Sequence, residues 1–320
     1  MGRPVVIALV SLVLAHVPDA ASASLADRVS AIAQKHAGKV AFFAEDLATH
    51  EEVGINADQP VQTASVIKLA ILYHVLRDIR AGRAHWSDRL TLTKSDQVGG
   101  SGVLLFFDTP LSLTLHDLVS MMIQFSDNTA TNLVIDRFGI DAINRDTEAI
   151  GLTNTHLYKK VFKPAEGKLP PDYEKFGLGK TTAREMAELA VRIGTCRLGD
   201  NPPTDADYAV CTEAITMMRN QFYRDAIPRY LEKLDSSDDG TAIANKSGSL
   251  NAVRNDVALI GGKSGLIVIS AFTYDNTDQS WAADNAAELC IGRMAQAVVT
   301  AWTPNGLSVR TLLPWKKTVK

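Results

Sequence analysis

Residues 63–72 read TASVIKLAIL, an apolar run that carries a serine and a lysine three positions apart. Extended to SVIKLAILYHVLRDIRAG, the pattern predicts a helix with Ser65 at its N-terminus and Lys68 one turn on, along the same face. A hydroxyl is cheaply satisfied in a core by its own backbone, but a lysine ammonium is costly to bury without a partner. A helix start offers unpaired N–H groups and a dipole that favour a developing negative charge, so a serine there, beside a lysine base, is a candidate nucleophile. Alone, the pair fits a capping serine and a snorkelling lysine just as well.

Either side of this run the character of the chain changes. SLADRVSAIAQKHAG predicts an amphipathic helix, and KVAFFAEDL with EEVGIN predicts a hairpin. From Ser65 to about Leu234 helix signals dominate. Thr114 with Asp117 and Thr182 with Glu185 predict capped helix starts, and Gly139 ends NTATNLVIDRF. Beyond the polar boundary DSSDDG (235–240), TAIANK, DVALIG and LIVISAFT predict strands, and ADNAAELCIGRMAQAVVTAW predicts a long last helix. The expected architecture is an antiparallel sheet built from both chain ends with flanking helices, and an inserted helical lobe. The sheet lobe takes residues 24–62 and 236–320 and the helical lobe 63–235, with a cleft at their junction. No role is evident for the tail TPNGLSVRTLLPWKKTVK.

Composition narrows the function classes. A chain of 320 residues that is 46% hydrophobic can fill a large core, and a formal charge of −3 carries no footprint for nucleic acid. The histidines never pair at metal-ligand spacing and no C-x-x-C occurs, so neither a metal nor another cofactor is expected. Arg3, the apolar stretch Val5–Val17 and Ala21-Ser22-Ala23 have the layout of a secretory leader cleaved after Ala23. The stretch is too short for a membrane span and Pro18 closes it. The expectation is an exported monomer, periplasmic or secreted, without a stable membrane anchor. In such a compartment Cys196 and Cys211 can bridge and staple an exposed loop, whereas Cys290 reads as a buried apolar residue.

Two further motifs join the first. QFSDNTATN places Ser126, Asp127 and Asn128 between two helices, where a serine can relay a proton and an asparagine can orient an amide. ANKSGSLN ends a predicted edge strand with Lys246, Ser247 and Gly248, a place where a substrate backbone approaches closely and a lysine and hydroxyl can hold its carboxylate. Lys263-Ser264-Gly265 repeats the tripeptide, but after Gly261-Gly262 and between two apolar strands it reads as a hairpin turn.

S-x-x-K, S-D-N and K-T-G are the known signature of active-serine β-lactamases and penicillin-binding proteins. All three occur here in that order, with serine for threonine in the last. Over nearly all of the chain after the leader the sequence therefore resembles class A β-lactamases and related penicillin-recognising serine hydrolases. The resemblance implies that Ser65 is acylated, that Lys68 is its base or proton partner, and that Ser126 passes a proton to the leaving nitrogen. It implies that Asn128 holds the substrate's side-chain amide, and that Lys246 and Ser247, beside Gly248, face its carboxylate. The backbone N–H groups of Ser65 and Ser249 would hold the oxyanion. Arg254, in VRND, would help bind the carboxylate, although a surface arginine beside a strand is an equal reading.

One element of the family pattern is missing. The loop THLYKKVFKPAEGKLPPDYEKFGLGKTT has no E-x-x-L-N, whose glutamate activates the deacylating water. Its place falls near Lys160 or Val161, while Glu166, Asp172 and Glu174 lie further along. The substrate expected is a β-lactam or a peptidoglycan-like small molecule. Three activities remain open: a β-lactamase using another base, perhaps Lys68 itself; a D-alanyl peptidase or esterase acylated by β-lactams; or a non-catalytic sensor domain.

Overall fold

Two apolar runs far apart in sequence, KVAFFAED and LIVISAFTY, pair antiparallel from Lys39↔Tyr274 to Asp46↔Ile267 and so join the two ends of the chain. The computed structural model describes residues 23–167, 169–235 and 240–315. The expected leader, but for Ala23, lies outside the described residues, as do residues 236–239 of the polar boundary.

The chain begins with α1 (Leu25–Gln34), closed by reciprocal bonds between Ser24 and Asp27, and the hairpin β1 (Lys39–Asp46) and β2 (Glu51–Ile55). Strand β3 (Val61–Gln62) leads through a 3₁₀ turn, Ala64–Ile67, into α2 (Lys68–Arg80). The ladder β4 (Arg89–Leu92) and β5 (Leu111–Thr114) precedes α3 (Leu115–Gln124), α4 (Asn128–Phe138) and α5 (Ile140–Ala149). Then come β6 (His156–Leu157), the short α6 (Tyr173–Phe176), β7 (Gly179–Thr181), α7 (Ala183–Gly194) and α8 (Asp205–Arg219). The meander β8 (Ile243–Leu250), β9 (Val253–Gly261) and β10 (Leu266–Tyr274) is followed by α9 (Ala286–Trp302) and α10 (Val309–Leu312).

The main sheet is antiparallel in the order β2-β1-β10-β9-β8. Every residue of β9 is buried, because α7 packs at Leu259 on one face and α9 reaches Arg254 on the other. Each fully buried Val, Leu or Ile in these layers contributes roughly 1.5–3 kcal/mol relative to exposure. Strand β8 is left as a free edge, and the 3₁₀ turn before α2 lies against it.

The structure departs from the sequence reading at three places and agrees with it at the disulfide. Ser65 is not the first residue of the α-helix but the second of the 3₁₀ turn, which follows Ala64 in a left-handed conformation (φ 44°). Thr182 caps α7, but Glu185 does not return the bond; its carboxylate takes Asn154 N–H and Thr155 O–H, pinning the segment before β6. The Cys196–Cys211 bridge is formed and closes the exposed loop that leads into α8, as expected, while the two cysteines themselves are buried and tie α8 to the end of α7. The tail, without an expected role, packs back: Leu307 bridges Gly262, and Trp315 stacks on Tyr208 at 4.8 Å and donates to Thr212 Oγ1. Cys290 is buried in α9, and burial pushes its thiol up to about 11. Among the described residues no helix is long and apolar enough to cross a membrane.

Candidate active site

Three elements meet where β8 borders the helical region, and each brings one motif. Asp127 caps α4, its Oδ1 accepting from Ala130 N–H, while its Oδ2 accepts from Val103 and Leu104 N–H. This double grip fixes the turn between α3 and α4. It also holds Ser126 in a left-handed conformation (φ 52°), the sort of local strain that surrounding structure must over-determine. Ser126 is buried and points its hydroxyl at two lysines.

Lys68 begins α2 and is fully buried. Its Nζ donates to the Ser126 carbonyl at 2.7 Å, to Ser126 Oγ at 3.1 Å and to Asn128 Oδ1 at 3.0 Å. Among the described residues no carboxylate pairs with it. Burial, and then the nearby charge of Lys246, hold its pKa well below the ordinary lysine value, against a smaller opposing pull from Asp127. That shift favours the neutral amine, the form in which a lysine can act as a base.

Lys246 reaches the same hydroxyl from β8, at 3.1 Å, and donates to the Ser247 carbonyl at 2.6 Å. It is also fully buried, and burial lowers its pKa to about 7 although Asp256 pulls the other way. Asp256 is itself buried and pushed up to about 7, held by Asn245 Nδ2 and Ile227 N–H. Opposed residues in an antiparallel pair share a face, so the register Lys246↔Val257 and Ser247↔Asp256 divides β8. Lys246 and Gly248 face the α2 turn, while Ser247 and Ser249 share a face with Arg254.

Gly248 makes this approach possible. A Cβ there would stand 2.7 Å from Ser65 N, 2.8 Å from Val66 N and 3.1 Å from Thr63 O, all backbone atoms. Asn255, opposite Gly248, donates from Nδ2 to Gln62 O and Thr63 O and so ties β9 to the same turn. Ser65, partly exposed, opens with Ser126, Ser247, Gly248 and Ser249 onto a cavity of about 430 Å³. The β8 strand runs on to Leu250, so Lys246-Ser247-Gly248 lies within the strand and not at its end.

Two of the expected residues also make firm contacts within the protein. Both ends of the Asn128 amide are taken, Oδ1 by Lys68 and Nδ2 by the Gly99 carbonyl at 3.0 Å. Arg254 reaches the cavity, but its guanidinium donates to the carbonyls of Leu250, Val253 and Ser280, pairs with Glu288 at 3.3 Å and stacks on Trp281. It clasps the β8–β9 hairpin to the start of α9.

None of the three loop carboxylates lines the Ser65 cavity. Glu166 is exposed beside a separate groove, Asp172 pairs with Lys180 at 3.5 Å, and Glu174 is exposed. Val161 instead is bound at both backbone groups by Asn132 of α4, at 2.8 and 3.0 Å, and Lys160 pairs with Asp136. Sequence reasoning missed the cavity's far wall, Phe222, Tyr223 and Trp281, and the grip of Asp127 on 103–104. Loop aromatics carry no periodicity that would mark them.

Known proteins resemble this chain in sequence and in fold. The model of a family described as the β-lactamase enzyme family matches residues 24–302. A β-lactamase of Rhodobacter capsulatus is 24% identical over 281 residues, 86% of this chain and 88% of that protein. The crystal structure of a β-lactamase from Sphaerobacter thermophilus is 30% identical, with a TM-score of 0.72 over 87% of this chain and 96% of its own. PBP-A, solved as an acyl-enzyme complex of a mutant with penicillin G, is 21% identical and shares the fold (TM-score 0.70, 87% of this chain and 95% of its own).

Proposed function

The chain belongs to the β-lactamase enzyme family, a family of hydrolases, and from that premise we propose that it opens β-lactam rings through an acyl-enzyme on Ser65. The observation that carries this is one hydroxyl, Ser126 Oγ, held 3.1 Å from both Lys68 Nζ and Lys246 Nζ beside a cavity that Ser65 enters.

Neutral Lys68 takes the Ser65 proton, directly or through Ser126, and Oγ attacks the lactam carbonyl carbon. The oxyanion that forms is held by the backbone N–H groups of Ser65 and Ser249, a kind of stabilisation typically worth about 3–4 kcal/mol per donor. The C–N bond then breaks, Ser126 delivers its proton to the leaving nitrogen, and Lys68 reprotonates Ser126 and is left neutral. Lys246 and Ser247 hold the substrate carboxylate. Arg254, with its donors committed, supports the wall instead. Asn128 positions Lys68.

Water must then attack the ester. With no loop carboxylate in the cavity, Lys68 is the base for that step and later returns a proton to Ser65 Oγ. Deacylation is the slower half of the cycle. Export after Ala23 is part of the proposal, supported by the buried Cys196–Cys211 bridge, which suits an oxidising compartment; N-terminal sequencing of the secreted protein tests it.

An intact-mass time course with benzylpenicillin tests the chemistry. The expected result is a ring-opened adduct on Ser65 that builds within one turnover and decays as penicilloate accumulates, and that is absent in Ser65→Ala. Turnover by Ser65→Ala at the wild-type rate would sink the proposal. Val161→Glu, at the place of the missing acid, is expected to shorten the adduct's lifetime; an unchanged lifetime would remove the 161 position from the deacylation step.

A further inference from the structure

We propose that the part of the cleft beyond Ser126 is a leaving-group subsite, walled by Phe222, Tyr223 and Trp281, that selects β-lactams bearing a flat aromatic substituent on the leaving-nitrogen side of the ring. The inference rests on the acyl-enzyme reading, which gives Ser126 the leaving nitrogen and Lys246 and Ser247 the carboxylate attached on that side.

The direction of the cavity follows from its walls. It runs from Ser65 and Ser126 along Ser247 and Ser249 to Arg254 and Trp281, with Phe222 and Tyr223 on the other bank. Neither Asn128 nor the 158–170 loop is part of it. The open space therefore lies on the leaving-group half of a bound substrate, not on the half that carries the acyl side chain.

The rings there are presented rather than packed away. Phe222 is 68% exposed and Trp281 69% exposed, large apolar surfaces left mostly open to solvent. Their backbones are nonetheless fixed. Phe222 N–H donates to Gln124 O at the end of α3, and Tyr223 O accepts from Asn245 Nδ2 of β8. Phe222 leans on Phe125 at 5.8 Å and meets Tyr223 edge to face at 5.4 Å. Trp281 lies over the Arg254 guanidinium at 4.5 Å, and the adjoining Ser280 carbonyl accepts from Arg254 and Asn285. Walls held in place before binding lose little freedom when a ring stacks on them.

The charged groups in this region do not define the ligand, because they satisfy one another. Glu288 pairs with Arg254, and Asp225 lies 3.6 Å from Arg229. That leaves aromatic faces as the recognition chemistry, suited to offset or edge-on contact with a flat substituent.

The test uses two cephalosporins that share one acyl side chain and differ at the leaving-side substituent: nitrocefin, with a dinitrostyryl group, and cephalothin, with an acetoxymethyl group. Second-order rate constants for acylation of Ser65 are read by quenched intact-mass measurements in the wild type, Trp281→Ala, Phe222→Ala and Trp281→Phe. Intrinsic reactivity cancels when the nitrocefin-to-cephalothin ratio is compared between proteins. The ratio is expected to fall about 3- to 10-fold in each alanine variant and to stay near wild type in Trp281→Phe. Phe222→Ala carries the test by itself if Trp281→Ala does not fold. Both substrates acylating Ser65 with an unchanged ratio overturns the subsite and leaves the acyl-enzyme reading intact. No acylation by either substrate in the wild type overturns both.

Discussion

Lys246-Ser247-Gly248 and Lys263-Ser264-Gly265 are the same tripeptide in two settings. The first lies inside β8, where the lysine is fully buried and burial brings its pKa down to about 7. The second turns the chain between β9 and β10, where Lys263 and Ser264 are exposed and Lys263 N–H donates to Gly306 O. One lysine meets the Ser126 hydroxyl across the cleft; the other stands in water. The reactive property is not in the three residues. It comes from the dielectric around them and from what the neighbouring segment presents.

Removing the buried lysine is the largest break. Lys246→Ala deletes the group proposed to hold the substrate carboxylate and leaves Ser126 Oγ with Lys68 alone. Acylation by benzylpenicillin is expected to slow by about 10²–10³-fold, the scale seen when a preorganised polar contact in an acyl-transfer site is lost. A loss smaller than about tenfold, measured by intact mass, would mean the β8 lysine differs from its surface twin in burial only.

The glycines sharpen the comparison. A Cβ at Gly248 meets the backbone of Thr63, Ser65 and Val66, whereas one at Gly265 meets Ala48 Cβ and Asp46 Oδ1 in the β1–β2 turn, away from the site. Gly248→Ala must push the Ser65 turn off the sheet edge. Misplacing a reacting group by about 1 Å costs on the order of 10²-fold, so the acylation rate is expected to drop about 10- to 100-fold. Gly265→Ala is expected to cost stability without touching acylation. The two variants, compared for acylation rate and melting temperature, separate a site effect from a folding effect.

Much of this difference is legible in the sequence itself. Position among apolar strands marked the 263–265 copy as a turn, and order along the chain joined the 246–248 copy to Ser65-x-x-Lys68 and Ser126-Asp127-Asn128. Periodicity and breakers placed the sheet, because strands and long helices repeat their apolar residues at fixed spacing. What stayed hidden depends on tertiary partners. Arg254 gives no sign in sequence that the carbonyls of Leu250, Val253 and Ser280 will occupy it. Glu185 looks like a capping partner, and only the fold brings Asn154 and Thr155 to compete for it. The turn at 64–67 reads as helix because a 3₁₀ turn and an α-helix share their apolar spacing over so few residues.

A titration contrasts the two lysines more gently. Lys246 is charged below about 7 and loses its proton above it, so its hold on a carboxylate weakens as pH rises. Lys68 is held well below the ordinary lysine value by burial and by the charge of Lys246, which favours its neutral, basic form. The acylation kcat/KM, which reports the free enzyme, is therefore expected to fall severalfold on the alkaline side of about pH 7. Lys246→Arg, whose guanidinium stays charged, is expected to lose that fall. An alkaline limb that persists unchanged in Lys246→Arg would assign it to another group, and Asp256 on the opposite face of the sheet would be the next to examine.

Lys263→Ala is expected to do least, and it is the control on which the contrast depends. The side chain is exposed, and the bond that holds the turn comes from the backbone N–H, which alanine keeps. Exposed substitutions of this kind shift stability by about 0.5 kcal/mol or less. Acylation should stay within about twofold of wild type, because no atom of the turn lines the cavity. A larger loss in the acylation rate, with the melting temperature unchanged, would mean that the hairpin end of the sheet communicates with the edge strand through β9. In that case burial alone would no longer explain why one copy of the tripeptide carries chemistry and the other does not.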